Sequence, residues 1–148
     1  MVKTWIKASI VTVLVGVPAF VLGPVIWPPA ADVPVPSATQ LPFFMAVSAA
    51  EALAFGLGIW FLACGLPLVR KVAKGSRLRA WAMYLSIGWL LVSWWPHDNL
   101  HPYVGEDTQG LIFLLYGFHM TLMLSGLILA LVFLSVIRQR SVEPARAG

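Results

Sequence analysis

Two ionisable side chains inside long apolar runs are the first candidates for chemistry in this sequence. Glu51 and His119 both stand in such runs, where an ionisable group is costly to bury and usually faces other helices. Tyr116 precedes His119 by one helical turn and is expected to share its face. We expect these three residues to bind a cofactor or ligand, with Glu51 and His119 paired at equal depth. The alternative is that the pair only locks two helices together.

A second candidate is the polar segment 96–108. His97 and His101 stand four positions apart after Pro96. If Pro96 opens a helical turn, both imidazoles share one face and can present two nitrogens to zinc or copper. Asp98 is the predicted third ligand. Because Pro102 disfavours the α conformation at His101, we expect a single turn here. The alternative is a solvated loop with histidines near the membrane interface.

The acidic residues just after this segment have a structural explanation. Glu106, Asp107 and Thr108 immediately precede a long apolar run. Acidic and hydroxyl side chains at a helix start cap free amide groups and interact favourably with the helix dipole. They are therefore predicted to cap the following helix and not to bind a metal.

Composition predicts which elements must position these residues. The chain has 148 residues, of which 59% are hydrophobic and only 11% charged, whereas soluble domains have about 25% charged residues. About 20 apolar residues suffice for a helix to cross a bilayer. We therefore predict an all-α integral membrane protein, a single four-helix transmembrane bundle. The predicted spans are residues 5–27, 42–69, 80–95 and 109–137, joined by outer loops 28–41 and 96–108 and by a basic inner loop 70–79.

The distribution of basic residues predicts the orientation. All ten fall at the N-terminal end of span one, between spans two and three, or after span four, in the inner tail 138–148. Because basic residues favour the cytoplasmic side, both termini are expected in the cytoplasm and the protein in the cell membrane. The same placement argues against nucleic acid as a partner and favours the anionic lipid bilayer. A rival interpretation treats Lys3, Lys7 and the following apolar run as a cleaved signal peptide.

Small residues indicate how the helices approach one another. Span two carries Ala46, Ala50, Ala54 and Gly58 at four-residue spacing, and span four carries Gly117, Thr121 and Ser125 at the same spacing. Such stripes let helix backbones approach in lipid. They are expected to pack within the chain or across a homo-oligomer. The single cysteine, Cys64, is expected to be a buried apolar residue.

Several functions are compatible with these residues, and no motif identifies a family. The leading hypothesis is an outward-facing pocket that binds a divalent metal or small ligand, and one form of this hypothesis makes the protein an accessory subunit of a larger membrane complex. An alternative is a membrane enzyme that uses histidine and glutamate as acid and base on a lipid or isoprenoid. A haem or quinone protein using His119 is a third option. A channel is the least favoured.

Overall fold

A computed structural model describes residues 2–73 and 76–142, with side chains described for residues 4–73 and 76–137. The described chain is helical and contains no strand, which confirms the all-α class. The helices are α1 (Val2–Ile26), α2 (Leu41–Cys64), α3 (Leu66–Val72), α4 (Arg77–Val104), α5 (Thr108–Leu114) and α6 (Met120–Val142). A π-helical segment, Leu115–His119, joins α5 to α6.

Three stretches of the described chain are long and apolar enough to cross a membrane: Thr4–Ile26, Leu41–Cys64 and Thr108–Ile137. They correspond to predicted spans one, two and four. The helix that contains predicted span three, α4, is 28 residues long but is not among them. Its sequence is rich in tryptophan, serine and other residues of low hydropathy, and it also carries charged residues.

The helices pack mainly in chain order. α1 packs along α2, α2 along α4, and α4 along α6, while α1 contacts α4 over a shorter stretch. Small residues make the close contacts: a Cβ on Gly56 would lie 2.4 Å from the Thr12 carbonyl oxygen of α1, and one on Gly58 would lie 2.6 Å from a methyl carbon of Val92 in α4. Gly58, the last residue of the predicted small-residue stripe in span two, thus packs within the chain. Helix α4 is central, because it contacts α1, α2, α3 and α6.

Predicted span two is interrupted, contrary to expectation. The sequence predicted one helix over residues 42–69, but α2 ends at Cys64 and α3 begins at Leu66. The physical reason is Pro67, which has no amide hydrogen to continue the helical ladder and whose ring crowds the preceding turn. Cys64 at this break is exposed, so the prediction of a buried thiol was wrong.

The prediction of an outer loop with a single turn after Pro96 was also wrong. Helix α4 continues through Pro96 and Pro102 to Val104. Its end is held by the α1–α2 connection, because the Ala30 amide donates to the Pro102 carbonyl (2.8 Å) and Asp32 accepts from the Glu106 amide (2.9 Å). These tertiary hydrogen bonds outweigh the local preference against helix before proline.

Glycine and a capping carboxylate turn the chain from α4 into α5. Gly105 ends α4 with φ of 57°, a conformation that other residues rarely adopt. Asp107 then caps α5, where its carboxylate accepts from the Gly110 amide at 2.8 Å. The predicted capping role is confirmed for Asp107.

Candidate metal centre

Helix α4 places two histidines on one face, as their spacing predicted. One turn separates His97 from His101, and their Nε2 atoms lie 3.1 Å apart. His97 is 6% exposed, while His101 is partly exposed. The continuous helix, longer than expected from sequence, gives both imidazoles a rigid support.

The third histidine comes from the π-helical segment. His119 is its last residue, and the Nε2 atom of His119 lies 2.8 Å from that of His97. In this segment the Met120 amide donates to the Leu115 carbonyl, five residues back instead of four. The extra residue per turn changes the direction in which side chains point. Such π-helical turns occur frequently at functional sites.

A side-chain hydroxyl and an indole stabilise the helix just beyond this segment. The Thr121 hydroxyl donates to the Gly117 carbonyl (2.7 Å) and accepts from the Trp89 indole N–H of α4 (2.9 Å). Thr121 thus satisfies a carbonyl near the irregular turn and joins α6 to α4. The position of His119 relative to His97 is therefore supported from both helices.

Asp98 orients His97. Its Oδ1 atom lies 2.9 Å from Nδ1 of His97, which donates to it when the carboxylate is ionised. With the proton on Nδ1, the lone pair of Nε2 points toward His101 and His119. A carboxylate bonded to the far nitrogen of a metal-binding histidine is the usual second shell of such sites. The sequence predicted Asp98 as a ligand, whereas the structure places its carboxylate on the far side of the His97 ring from His101 and His119.

Glu51 of α2 lies near Asp98, and the two carboxyl groups interact electrostatically. His97 joins Asp98 on one side to His119 on the other. Among the described residues, Glu51 and His119 make no direct hydrogen bond, so their expected pairing is not found.

Tyr116 lies outside this network. Its side chain is 65% exposed, although it precedes His119 by three residues. In a regular helix the two side chains would share a face. The π-helical geometry widens the turn and separates them.

Apolar and aromatic residues surround the imidazoles. The ring of Phe118 lies 5.6 Å from that of His97, and the ring of Trp94 lies 6.0 Å from it, centroid to centroid. Leu114, Phe118 and Leu122 form a buried cluster on which Leu100 of α4 also packs. These apolar and aromatic side chains restrict the access of water to one side of the histidines. Electrostatic interactions are therefore stronger on that side.

The three imidazoles have the arrangement of a metal-binding tripod. One nitrogen from each of His97, His101 and His119 lies within 4.8 Å of the others. Tetrahedral zinc with Zn–N bonds of about 2.0–2.1 Å separates its ligand nitrogens by about 3.3 Å. The distances of 2.8 and 3.1 Å from His97 to its neighbours are somewhat shorter than that value, and the group as a whole spans up to 4.8 Å. The imidazole rings would therefore have to reorient to hold one ion together.

No family model, curated protein or solved structure matches this chain. The functional argument therefore depends on the site itself. From the sequence, His119 was assigned to a deeper pocket than His97 and His101. Only the packing of the π-helical segment against α4 brings it into one cluster with them.

Proposed function

We propose that this protein binds a divalent transition metal through His97, His101 and His119. The observation that carries the proposal is the convergence of three imidazole nitrogens, with Asp98 bonded to the far side of the most buried one. Two of the ligands come from α4 and the third from the segment before α6. A bound ion would therefore also hold these two helices together.

The donor atoms favour zinc or copper(II). Imidazole nitrogen is a borderline donor that suits both ions, whereas magnesium and calcium prefer oxygen. The single thiol, Cys64, lies at the opposite end of α2 from the Glu51 side chain that reaches Asp98, roughly 20 Å away along the helix. It is not a candidate ligand in this site.

We further propose a four-span arrangement in the cell membrane with both termini in the cytoplasm. The segregation of all ten basic residues supports it, and α4 can cross because α2, α6 and part of α1 shield its polar residues. The metal centre then lies toward the outer face. The apolar surface of α6 is largely uncovered, so another copy or another membrane subunit is the proposed partner there.

Metal titration of the detergent-purified protein tests the proposal. Isothermal titration with zinc or copper should show one site per chain in the unaltered protein. His97→Ala, His101→Ala and His119→Ala should each weaken binding by more than the about 10–100-fold typical of second-shell changes. Binding should also weaken as the pH is lowered, because protons compete with the metal for the imidazole nitrogens.

Tyr116→Ala is the matched control, because Tyr116 neighbours His119 in sequence but is exposed away from the network. It should bind the metal like the unaltered protein. Retention of the site in all three histidine variants would refute the proposal.

Cysteine labelling tests the orientation. In a Cys64→Ala background, Val35→Cys and Leu78→Cys place thiols at residues that are 90% and 82% exposed, on opposite predicted sides. A membrane-impermeant maleimide should label intact cells at position 35, and should label position 78 only after permeabilisation. The reverse pattern would place the metal centre toward the cytoplasm.

An acid–base enzyme is a second candidate that one observation favours. The Asp98–His97 hydrogen bond would orient His97 as a general base, as a carboxylate does in many hydrolytic sites. In that case Nε2 of His97 must be free to take a proton from a lipid-like substrate. Incubation with a candidate ligand distinguishes metal or ligand binding from acid–base catalysis. A binding protein retains one unaltered ligand per chain, whereas an enzyme releases a chemically altered product.

A further inference from the structure

The three histidines leave the coordination shell of a bound metal incomplete. Among the described residues, one group of histidine, cysteine or acidic side chains has donor atoms close enough to share a metal ion. It consists of these three histidines. The Asp98 carboxylate is hydrogen-bonded to Nδ1 of His97, on the far side of that ring from the other two histidines. Zinc and copper take at least four ligands, and three protein ligands with an open position are typical of reactive sites, not structural ones.

Charge indicates what fills the remaining position. Histidine binds a metal as a neutral donor, so the tripod would leave a divalent ion with its full charge beside Phe118 and Leu100. An uncompensated charge in apolar surroundings is strongly unfavourable. The nearest carboxylate, Asp98, lies behind an imidazole, where it offsets only part of that charge. An anionic fourth ligand would reduce the cost most directly.

Exposure indicates where such a ligand enters. His97 is buried against aromatic rings, whereas His101 and His119 are both partly exposed. A small ligand can therefore approach between His101 and His119 without displacing the cluster formed by Leu114, Phe118 and Leu122.

We propose that the metal centre, if it binds its ion as described above, has an open coordination position that takes a small anion. The ligand class is a compact anion with one nitrogen or oxygen donor, such as azide, a small carboxylate, or hydroxide formed from bound water. A divalent metal held here would lower the pKa of a bound water toward neutrality, so that the water could release a proton to solvent and leave hydroxide in this position. This inference rests on the proposed metal site and adds that the site is reactive toward ligands from outside the chain.

Cobalt(II) replaces zinc in nitrogen sites and reports its coordination through visible absorption, so the cobalt-loaded protein in detergent tests this inference. Titration with sodium azide should shift the visible bands saturably, with one azide per cobalt. The Cys64→Ser variant is the control, because it removes the single thiol at the far end of α2, and it should respond identically. His119→Ala should lose the cobalt bands themselves.

The outcomes separate this inference from the proposed function. If cobalt binds and depends on the three histidines but azide leaves its spectrum unchanged, the metal site stands and the open position does not. A fourth ligand from this chain or from a second copy would then complete the shell. If cobalt does not bind at all, the proposed metal site fails and the inference fails with it.

Discussion

Helices α4 and α6 both border the candidate metal centre, yet they differ in nearly every other respect. α4 has a low mean hydropathy and packs against α1, α2, α3 and α6. The stretch that includes α6 is highly apolar, but only 11% of its most apolar window is buried within the chain. The comparison teaches that the helix of low hydropathy, which carries two of the three histidines, is packed among the other described helices, while the apolar stretch that carries His119 is largely uncovered within the described chain.

The two helices also obtain their geometry in different ways. α4 is held at its C-terminal end by hydrogen bonds to the α1–α2 connection and by the Trp95 indole, which donates to the Ala19 carbonyl at 3.1 Å. The start of α6 depends on the π-helical segment and on Thr121. Variants that affect one helix and not the other can therefore test how much each contributes to the site.

The largest effect in this comparison is expected from the polar side of α4. Asp98→Asn keeps the size of the side chain but removes the charge that orients His97. Metal affinity should fall about 10–100-fold, as is typical for second-shell changes. Competition against a chelating dye measures the change. Asp107→Asn is the control, since asparagine caps a helix as well as aspartate does and α5 should be unaffected. Equal affinity in the Asp98 and Asp107 variants would contradict the second-shell role.

An effect of similar size, on stability instead of metal affinity, is expected from glycine substitution at a packed surface, and a much smaller one at an open surface. A Cβ on Gly58 meets Val92 and Leu91 of α4, whereas a Cβ on Gly126 of α6 finds no atom within 4 Å. Gly58→Ala should therefore destabilise the protein by about 1–3 kcal/mol through overpacking. Gly126→Ala should be neutral or slightly stabilising, because alanine is the better helix former.

Both glycine variants can be unfolded in mixed detergent micelles by increasing the fraction of sodium dodecyl sulfate. This measurement gives the free energy of unfolding of each variant under the same condition. A large loss of stability in the Gly126 variant would mean that α6 is covered by another chain. No loss in the Gly58 variant would contradict the close packing of α2 on α4.

The smallest effect is expected from the hydrogen bond that joins the two helices. Thr121→Val removes the acceptor for the Trp89 indole and should cost about 0.6 kcal/mol, the average for side-chain hydrogen bonds between membrane helices. Thr121→Ser keeps the hydroxyl and should restore most of this stability. The same unfolding measurement applies, and metal affinity should change little. A loss of metal binding as large as that of a histidine variant would mean that Thr121 controls the direction of His119.

Some features of the fold and site could be predicted from residue type and spacing alone. The apolar runs predicted helices long enough to cross a membrane, since this depends only on composition over about 20 residues. The capping role of Asp107 and the shared face of His97 and His101 follow from local helix geometry in the same way. These features depend on neighbours within one or two turns.

Other features depended on contacts between residues distant in sequence. The extension of α4 past Pro102 is accompanied by a hydrogen bond from the Ala30 amide to the Pro102 carbonyl, a long-range contact that local propensity cannot anticipate. Likewise, the sequence showed that His119 lies in an apolar helix but not which way it points. That direction is decided by one extra residue in a helical turn packed against α4, and it joins His119 to His97 and His101 while leaving Tyr116 outside. Residue types thus determined which groups are available for chemistry, and tertiary packing decided which of them meet.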